Sequence, residues 1–239
     1  MTKLLFREDA YLREAPATVT GLTADGGILL DACLFYPTGG GQAGDVGTLH
    51  TERGEVAIET TLKGEGGGPV LKPCRPIDLP VGARVRQVLD WPARYAAMRL
   101  HTALHLLSVV IPLPVTGGQI TPEKARLDFD MADPPSDKQS IEDALNALVA
   151  GDHPVSERWI TDAELAANPG LVKTMSVAPP TGAGHVRLVQ IGAGETPVDL
   201  QPCGGTHVKT TTEIGRLRLG KVEKKSRSNR RFNVHLDTV

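Results

Sequence analysis

Two histidines that lie four residues apart are the first side chains in this sequence that could do chemistry. They are His101 and His105, within a segment that the pattern predicts to be helical. On a helix, residues four apart lie one turn above each other, with their Cβ atoms about 5–6 Å apart. Two imidazoles in this arrangement can share one metal ion, although two unrelated helix histidines would have the same spacing.

A second pair of possible metal ligands follows about a hundred residues later. Cys203 and His207 flank the pair Gly204-Gly205, a turn that can bring both side chains toward one point. Each pair alone has an ordinary explanation, as two helix histidines, or as a buried thiol and a turn histidine. Together, three imidazoles and one thiol form an acceptable tetrahedral set, and Zn²⁺ is the ion that this set favours.

The residues beside these ligands exclude two familiar kinds of zinc hydrolase. In the His-Glu-x-x-His proteases a glutamate follows the first histidine, whereas here Thr102 follows His101. The nucleobase deaminases need Pro-Cys-x-x-Cys, and the segment Pro202–Thr206 contains no second cysteine. The residues beside the ligands therefore predict neither a protease nor a nucleobase deaminase.

The elements that must position these ligands fall into two parts, of which the first is rich in β-strands. Short β-branched or alternating runs are separated by clusters of Gly, Pro and Asp, a spacing that is typical of a small barrel or sandwich. The predicted strands are 17–22, 27–35, 45–49, 56–62 and 84–89. We therefore expect a small β-barrel domain over residues 1–90.

The sequence pattern changes from strand-like to helical at Asp90. Asp90 can cap a helix that tolerates Pro92 in its first turn, and we expect this helix to end before Pro112. A second helix is predicted over 138–150, and a capping box at 161–164 opens a short third one. Strand-like runs lie among these helices, at 125–130, 155–160, 185–191, 217–222 and 231–236. Irregularly mixed helices and strands predict an α+β domain over residues 91–239.

Composition narrows the class of protein. The 239 residues carry a net charge of −2, which excludes a globally basic nucleic-acid coat but not a local basic patch. Apolar residues make up 40% of the chain, enough for a sizeable core. Three cysteines are too few for a disulfide scaffold, and we find neither a signal peptide nor a membrane span. We expect a soluble protein of a reducing cytoplasm.

A glycine-rich block joined to both ligand pairs in this order resembles one known family. The chain is similar to the alanyl-tRNA editing proteins of the AlaX type, which are trans-editing hydrolases related to the editing domain of alanyl-tRNA synthetase. The segments that carry the resemblance are Phe35–Gly47, Arg99–Leu107, Arg126–Phe129, Pro202–Val208 and Glu213–Gly215. Together they extend over most of the chain.

The resemblance implies an N-terminal β-barrel followed by an α+β editing domain that binds Zn²⁺ through His101, His105, Cys203 and His207. It also implies hydrolysis of the ester in Ser-tRNA(Ala), with Gly-tRNA(Ala) as a second substrate. One departure is Leu104, where many synthetase editing domains carry Thr before the second histidine. The chain looks like the shorter class without a C-terminal extension, and we expect a monomer or a weak homodimer.

Several residues near the implied site are candidates for substrate contact. The segment Gly39, Gly40, Gly41 and Gln42 can form an anion-binding nest and offer an amide, or it can be a flexible hairpin turn. Thr102 and Thr206 adjoin the ligands and are further candidates. Asp128 can orient a ligand histidine or hold substrate, and it can equally be a solvated strand position.

A basic stretch near the C-terminus is the candidate surface for tRNA phosphates. Between residues 216 and 231 there are eight basic residues and one acid. A solvated hairpin is the ordinary explanation, but a tRNA substrate favours phosphate binding. The residues chosen for this role are Arg216, Lys221, Lys224, Lys225, Arg230 and Arg231.

Two other functions stay open. One is an RNA-binding module in which zinc only staples the second domain, and the other is a hydrolase of a different mischarged tRNA or acyl ester. The role of the zinc also stays open, because four simultaneous protein ligands would close the site, whereas catalysis needs an exchangeable position.

Overall fold

A computed structural model describes residues 2–175 and 184–237. Contacts between Cα atoms divide the chain into two compact units, Met1–Tyr95 and Ala96–Val239. Within the described residues, no helix is both long and apolar enough to cross a membrane.

The first unit is a closed six-stranded barrel, which confirms the predicted N-terminal β-barrel. Its elements are β1 (Lys3–Leu4), α1 (Leu5–Glu8), β2 (Glu14–Leu22), β3 (Ile28–Leu30), β4 (Ala32–Cys33), β5 (Gly47–Thr51), β6 (Gly54–Lys63), β7 (Pro69–Pro73) and β8 (Arg84–Leu89). The barrel order is β2-β3-β7-β6-β5-β8, closed by antiparallel pairing of β8 with β2. The short β1 pairs with β4 in parallel.

Alternating side chains explain why these segments form a barrel. In β2 and β6, buried residues alternate with exposed ones over most of the strand, because successive side chains point to opposite faces. The inward side chains form one apolar core that includes Ile28, Leu30, Leu49 and Leu71. Strand β7, which begins at a proline and pairs with β6, is not among the predicted strands.

A buried ion pair also belongs to the first unit. Arg94 Nε lies 3.0 Å from both carboxylate oxygens of Asp45. The same guanidinium donates to the carbonyl oxygens of Ala10 and Leu34 at 2.9 and 2.8 Å. Both charged side chains are buried, so each depends on the other for compensation.

The long helix α2 (Trp91–Val110) carries the first ligand pair. It begins as predicted after Asp90, whose carboxylate accepts the Ala93 N–H at 3.1 Å. It ends two residues before Pro112. The second unit contains this helix from Ala96 onward.

The rest of the second unit is α+β, as predicted. Its helices are α3 (Lys138–Ala150), capped by Asp137, and α4 (Asp162–Ala167), opened by the predicted Thr161–Glu164 capping box. Its strands are β9 (Val115–Ile120), β10 (Ala125–Asp130), β11 (Val155–Thr161), β12 (His185–Ile191), β13 (Asp199–Pro202), β14 (Leu217–Leu219), β15 (Glu223–Ser226) and β16 (Asn229–Leu236). One sheet has the order β14-β16-β10-β9 with β15 added to β16, and the other has the order β11-β12-β13.

Candidate metal centre

Four side chains from two distant segments converge in the second unit. His101 and His105 come from helix α2, and Cys203 and His207 come from the turn after β13. Their ligand atoms all lie within 4.8 Å of one another. Cys203 Sγ is 3.2 Å from His207 Nε2 and 3.5 Å from His101 Nε2.

This donor set fits a zinc ion. With Zn–S near 2.3 Å and Zn–N near 2.0–2.1 Å, a tetrahedral site separates sulfur and nitrogen by about 3.6 Å. The observed separations of 3.2 and 3.5 Å lie close to that value. The three histidines are also buried, so little water competes with them for an ion. The geometry and the donor chemistry together fit a tetrahedral ion of intermediate softness.

The charge state of Cys203 suits metal binding. Burial by itself would raise the pKa of its thiol, but the neighbouring His101 and His207 outweigh burial and hold that pKa well below its usual value. The Gly205 N–H also points at the sulfur, at 3.4 Å. The lowered pKa favours the thiolate of Cys203, which is the form that binds metals.

Asp199 orients His105, and the sequence analysis missed this residue. A carboxylate oxygen of Asp199 lies 2.8 Å from His105 Nδ1, so Nε2 is left for an ion. The carboxylate also accepts from Lys173 Nζ at 2.7 Å and from Gln201 Nε2 at 2.9 Å. Burial would raise the pKa of Asp199, but His105 and Lys173 outweigh it and lower that pKa to about 2.

The same contact sets the protonation of His105. Burial would lower the pKa of this imidazole, but the hydrogen bond to Asp199 and the nearby Cys203 sulfur raise it to about 10. His207 behaves in the opposite way, because burial and the neighbouring His101 lower its pKa to about 3. His207 is therefore neutral and ready to bind, whereas His105 must give up a proton to do so.

Thr102 contacts the ring nitrogen of His207 that does not face Cys203. Its hydroxyl donates to the Met98 carbonyl at 3.0 Å and lies 3.1 Å from His207 Nδ1 and 3.3 Å from the Val208 nitrogen. One donor and two acceptor positions are all that a hydroxyl has, so these contacts use it fully. Thr102 therefore positions His207, and the substrate contact expected of it stays a prediction. Thr206, the neighbour of His207, is buried.

The glycine-rich segment of the first unit forms a tight turn. Gly39 and Gln42 exchange two backbone hydrogen bonds of 3.0 Å, and φ is +59° at Gly40 and +84° at Gly41. Positive φ at both central residues defines a type I′ turn, which favours glycine. Two N–H groups expected in an anion nest therefore close the turn instead. Gln42 is fully buried.

Asp128 binds two arginine side chains in the structure. Its carboxylate receives Arg231 through two hydrogen bonds of 2.8 and 2.9 Å and Arg126 through one of 2.8 Å. The arginine bonds hold the pKa of Asp128 below its usual value despite burial. The carboxylate that contacts a ligand histidine is Asp199, and substrate binding by Asp128 stays a prediction.

The basic stretch separates into buried and exposed members. Arg230 is buried, and its guanidinium donates to backbone carbonyls that include Ser226 at 3.0 Å and Asn229 at 3.1 Å. The protein backbone therefore engages this side chain, and its role as a phosphate contact stays a prediction. Arg231 is engaged by Asp128. The exposed members are Arg216, Arg218, Lys221, Lys224, Lys225 and Arg227, of which Arg216, Lys221, Lys224 and Lys225 were chosen as phosphate contacts.

Comparison with known proteins adds independent information. A family model described as the threonyl and alanyl tRNA synthetase second additional domain matches residues 186–233, which include Cys203 and His207. The alanyl-tRNA editing protein AlaX-M of Methanosarcina acetivorans is 34% identical over 97% of this chain and 98% of its own length. AlaX-M of Saccharolobus solfataricus is 33% identical over 97% of each chain. The alanine–tRNA ligase of Thermofilum pendens is 37% identical over 93% of this chain and 25% of the ligase.

Proposed function

Because the chain belongs to the alanyl-tRNA editing proteins, we propose that it hydrolyses the ester that joins a wrong amino acid to tRNA(Ala). Serine is proposed as the main amino acid that it removes, and glycine as the second. The observation that carries the proposal is the buried group of His101, His105, Cys203 and His207. This group lies within a chain that matches an editing protein over 97% of its length.

The chemistry of amino-acid selection explains why such an activity is needed. A pocket built for alanine tolerates the added hydroxyl of serine and discriminates by only about 10²-fold. Serine is therefore attached to tRNA(Ala) often enough that a second site must remove it. Glycine lacks one methyl group and is also rejected weakly, because the loss of one such contact costs only about 1–3 kcal/mol.

The four ligands are proposed to hold Zn²⁺, which when bound supplies a Lewis acid for a carbonyl oxygen or an anchor for the amino group of the substrate. The protein itself orients the ligands. Asp199 accepts the Nδ1–H of His105, and the Thr102 hydroxyl faces Nδ1 of His207. Both contacts direct the opposite ring nitrogen toward the cluster and fix the tautomer.

The remaining substrate contacts are also proposals. Arg216, Lys221, Lys224 and Lys225 are exposed cations that can neutralise tRNA phosphates. Gly39–Gln42 in the first unit and Thr206 in the second stay proposed, each by itself, as substrate contacts. Arg230 and Arg231 stay predicted phosphate contacts, although their guanidinium groups are engaged within the protein.

A second candidate function is a zinc-stapled RNA-binding module. The observation that favours it is the number of protein donors, because four residues that bind at once leave no position for water or substrate. In that case the ion would stabilise the second unit without taking part in hydrolysis.

One experiment tests both candidates. Purified protein is incubated with Ser-tRNA(Ala), Gly-tRNA(Ala), Ala-tRNA(Ala) and Ser-tRNA(Ser), with and without a zinc chelator, and deacylation is followed over time. The editing proposal expects rapid, chelator-sensitive loss of serine and glycine from tRNA(Ala) alone. Survival of all four esters in protein that contains one zinc per chain would favour the stapled module.

Two histidine variants test whether hydrolysis depends on the metal centre. His105→Ala should abolish hydrolysis and lower the zinc content, whereas His185→Ala should change neither, because His185 is an exposed residue at the start of β12. Full activity of zinc-free His105→Ala protein would contradict the metal assignment.

A further inference from the structure

Arg187 reaches from strand β12 to the turn that carries Cys203. Its Nη1 donates to the Cys203 carbonyl at 2.7 Å and to the Gly205 carbonyl at 3.0 Å. The side chain is buried, with only 7% of its surface exposed. One cationic group therefore binds two carbonyls of the turn between the two ligands.

The backbone of the same residue holds the turn from a second direction. The Cys203 N–H donates to the Arg187 carbonyl at 3.1 Å, just beyond the β12–β13 ladder, which ends with Leu188 opposite Pro202. Gly204, in the middle of the turn, is loosely packed, because a Cβ atom built on it would meet no other atom within 4 Å. Hydrogen bonds to Arg187 therefore restrain the turn on both sides of the Gly204–Gly205 peptide.

Glu157 compensates the buried charge. It lies on the neighbouring strand β11, and its carboxylate accepts from Arg187 Nη2. A buried guanidinium charge is costly unless an opposite charge compensates it. Nη2 of the guanidinium donates to Glu157, and Nη1 donates to the turn. The planar group is therefore held through both of its terminal nitrogens.

We propose that Arg187 is a positioning residue of the metal centre, which holds the Cys203–Gly205 turn in its ligating conformation before an ion binds. Fixing the two carbonyls fixes the Cys203–Gly204 and Gly205–Thr206 peptide planes, which flank the central Gly204–Gly205 peptide. This keeps Cys203 Sγ 3.2 Å from His207 Nε2. Such pre-organisation strengthens binding because the ion does not have to order the turn. The proposal rests on the metal site proposed above.

The test uses three variants of the full chain. Arg187→Gln removes the cationic fork, and Arg187→Lys keeps the charge opposite Glu157 but replaces the planar fork with a point charge. Arg158→Gln is the matched control, because Arg158 is an exposed arginine on the adjacent strand β11. Far-UV circular dichroism first compares the secondary structure of each variant with that of the wild type.

Each metal-free protein is then titrated with Co²⁺, and the thiolate-to-cobalt charge-transfer band is recorded. We expect wild type and Arg158→Gln to bind one Co²⁺ with equal affinity and an equal band. Arg187→Gln should bind about 10–100-fold more weakly with a diminished band, and Arg187→Lys should lie between. Wild-type affinity and band in Arg187→Gln would overturn the proposal.

Thermal unfolding with and without zinc separates positioning from support of the fold. A positioning role predicts that zinc raises the Tm of Arg187→Gln and Arg187→Lys less than it raises the Tm of wild type, because ligand stabilisation follows affinity. A lower Tm in metal-free variants with an undiminished zinc-induced rise would overturn the proposal. If wild-type protein bound no Co²⁺, the metal assignment itself would fail, and this proposal with it.

Discussion

His105 Nδ1 lies 2.8 Å from a carboxylate oxygen of Asp199, a residue 94 positions further along the chain. Both groups are buried, so the contact is little screened by water. It determines which nitrogen of His105 faces the cluster and how strongly that ring holds a proton. Two of our predictions follow from this pair.

Asp199→Asn should weaken metal binding by about 10–100-fold and reduce hydrolysis in parallel, because the amide keeps the shape but removes the charge that orients the imidazole. Competition with a chromophoric chelator measures the affinity. Asp130→Asn, an exposed change at the end of β10, is the control and should leave the affinity unchanged. Equal zinc affinities in the two variants would show that Asp199 does not support the site.

Zinc affinity should rise with pH. In the metal-free protein the pKa of His105 is raised to about 10, so at neutral pH this ring is protonated and an ion must displace its proton. Below that pKa, affinity should increase about tenfold for each pH unit between pH 6 and pH 8. Calorimetry in two buffers of different ionisation enthalpy should find about one proton released. Release of no proton would contradict this protonation state.

Lys224→Ala combined with Lys225→Ala should weaken tRNA binding and make it less dependent on salt. Each lost phosphate contact reduces the slope of log K against log salt by about 0.9. Filter binding at several salt concentrations measures this slope. Lys3→Ala combined with Arg53→Ala removes two exposed cations of the first unit and serves as the control. An unchanged slope in the Lys224 and Lys225 variant would remove both residues from the footprint.

Arg94→Met should destabilise the first unit by about 3–5 kcal/mol, because it leaves the Asp45 carboxylate buried without its partner. Arg86→Met breaks an exposed pair with Glu14 and should cost no more than about 1 kcal/mol. Urea unfolding in a Trp159→Phe background follows Trp91, the remaining tryptophan. Equal unfolding midpoints would mean that the buried pair contributes little.

Features set by neighbouring residues could be predicted from the sequence. Helix α3 occupies residues 138–150 as expected, because Asp137 caps it locally. The capping box at Thr161 and Glu164 is also local, and the structure contains both of its hydrogen bonds. The two ligand pairs could be found because each has a short spacing, although only the two pairs together indicated a metal site.

Features set by distant partners could not be predicted. Asp199 stands in a short strand that exists through its pairing with β12, and only the folded chain brings it to His105. Arg230 looks like one more cation of a basic hairpin, yet folding buries it against backbone carbonyls. Arg187 lies in an apolar strand pattern, where nothing in the local sequence indicates the turn that it holds.

The four donors come from segments separated by roughly a hundred residues, so an ion bound by all of them would act as a reversible cross-link. A cross-link that closes so long a loop lowers the conformational entropy of the unfolded chain, in the same way as a disulfide does. The thiol of Cys203 provides this cross-link without a second cysteine and without an oxidising environment. Zinc supply would then determine how long the second unit survives heat or proteolysis, in addition to whether it can act on its substrate.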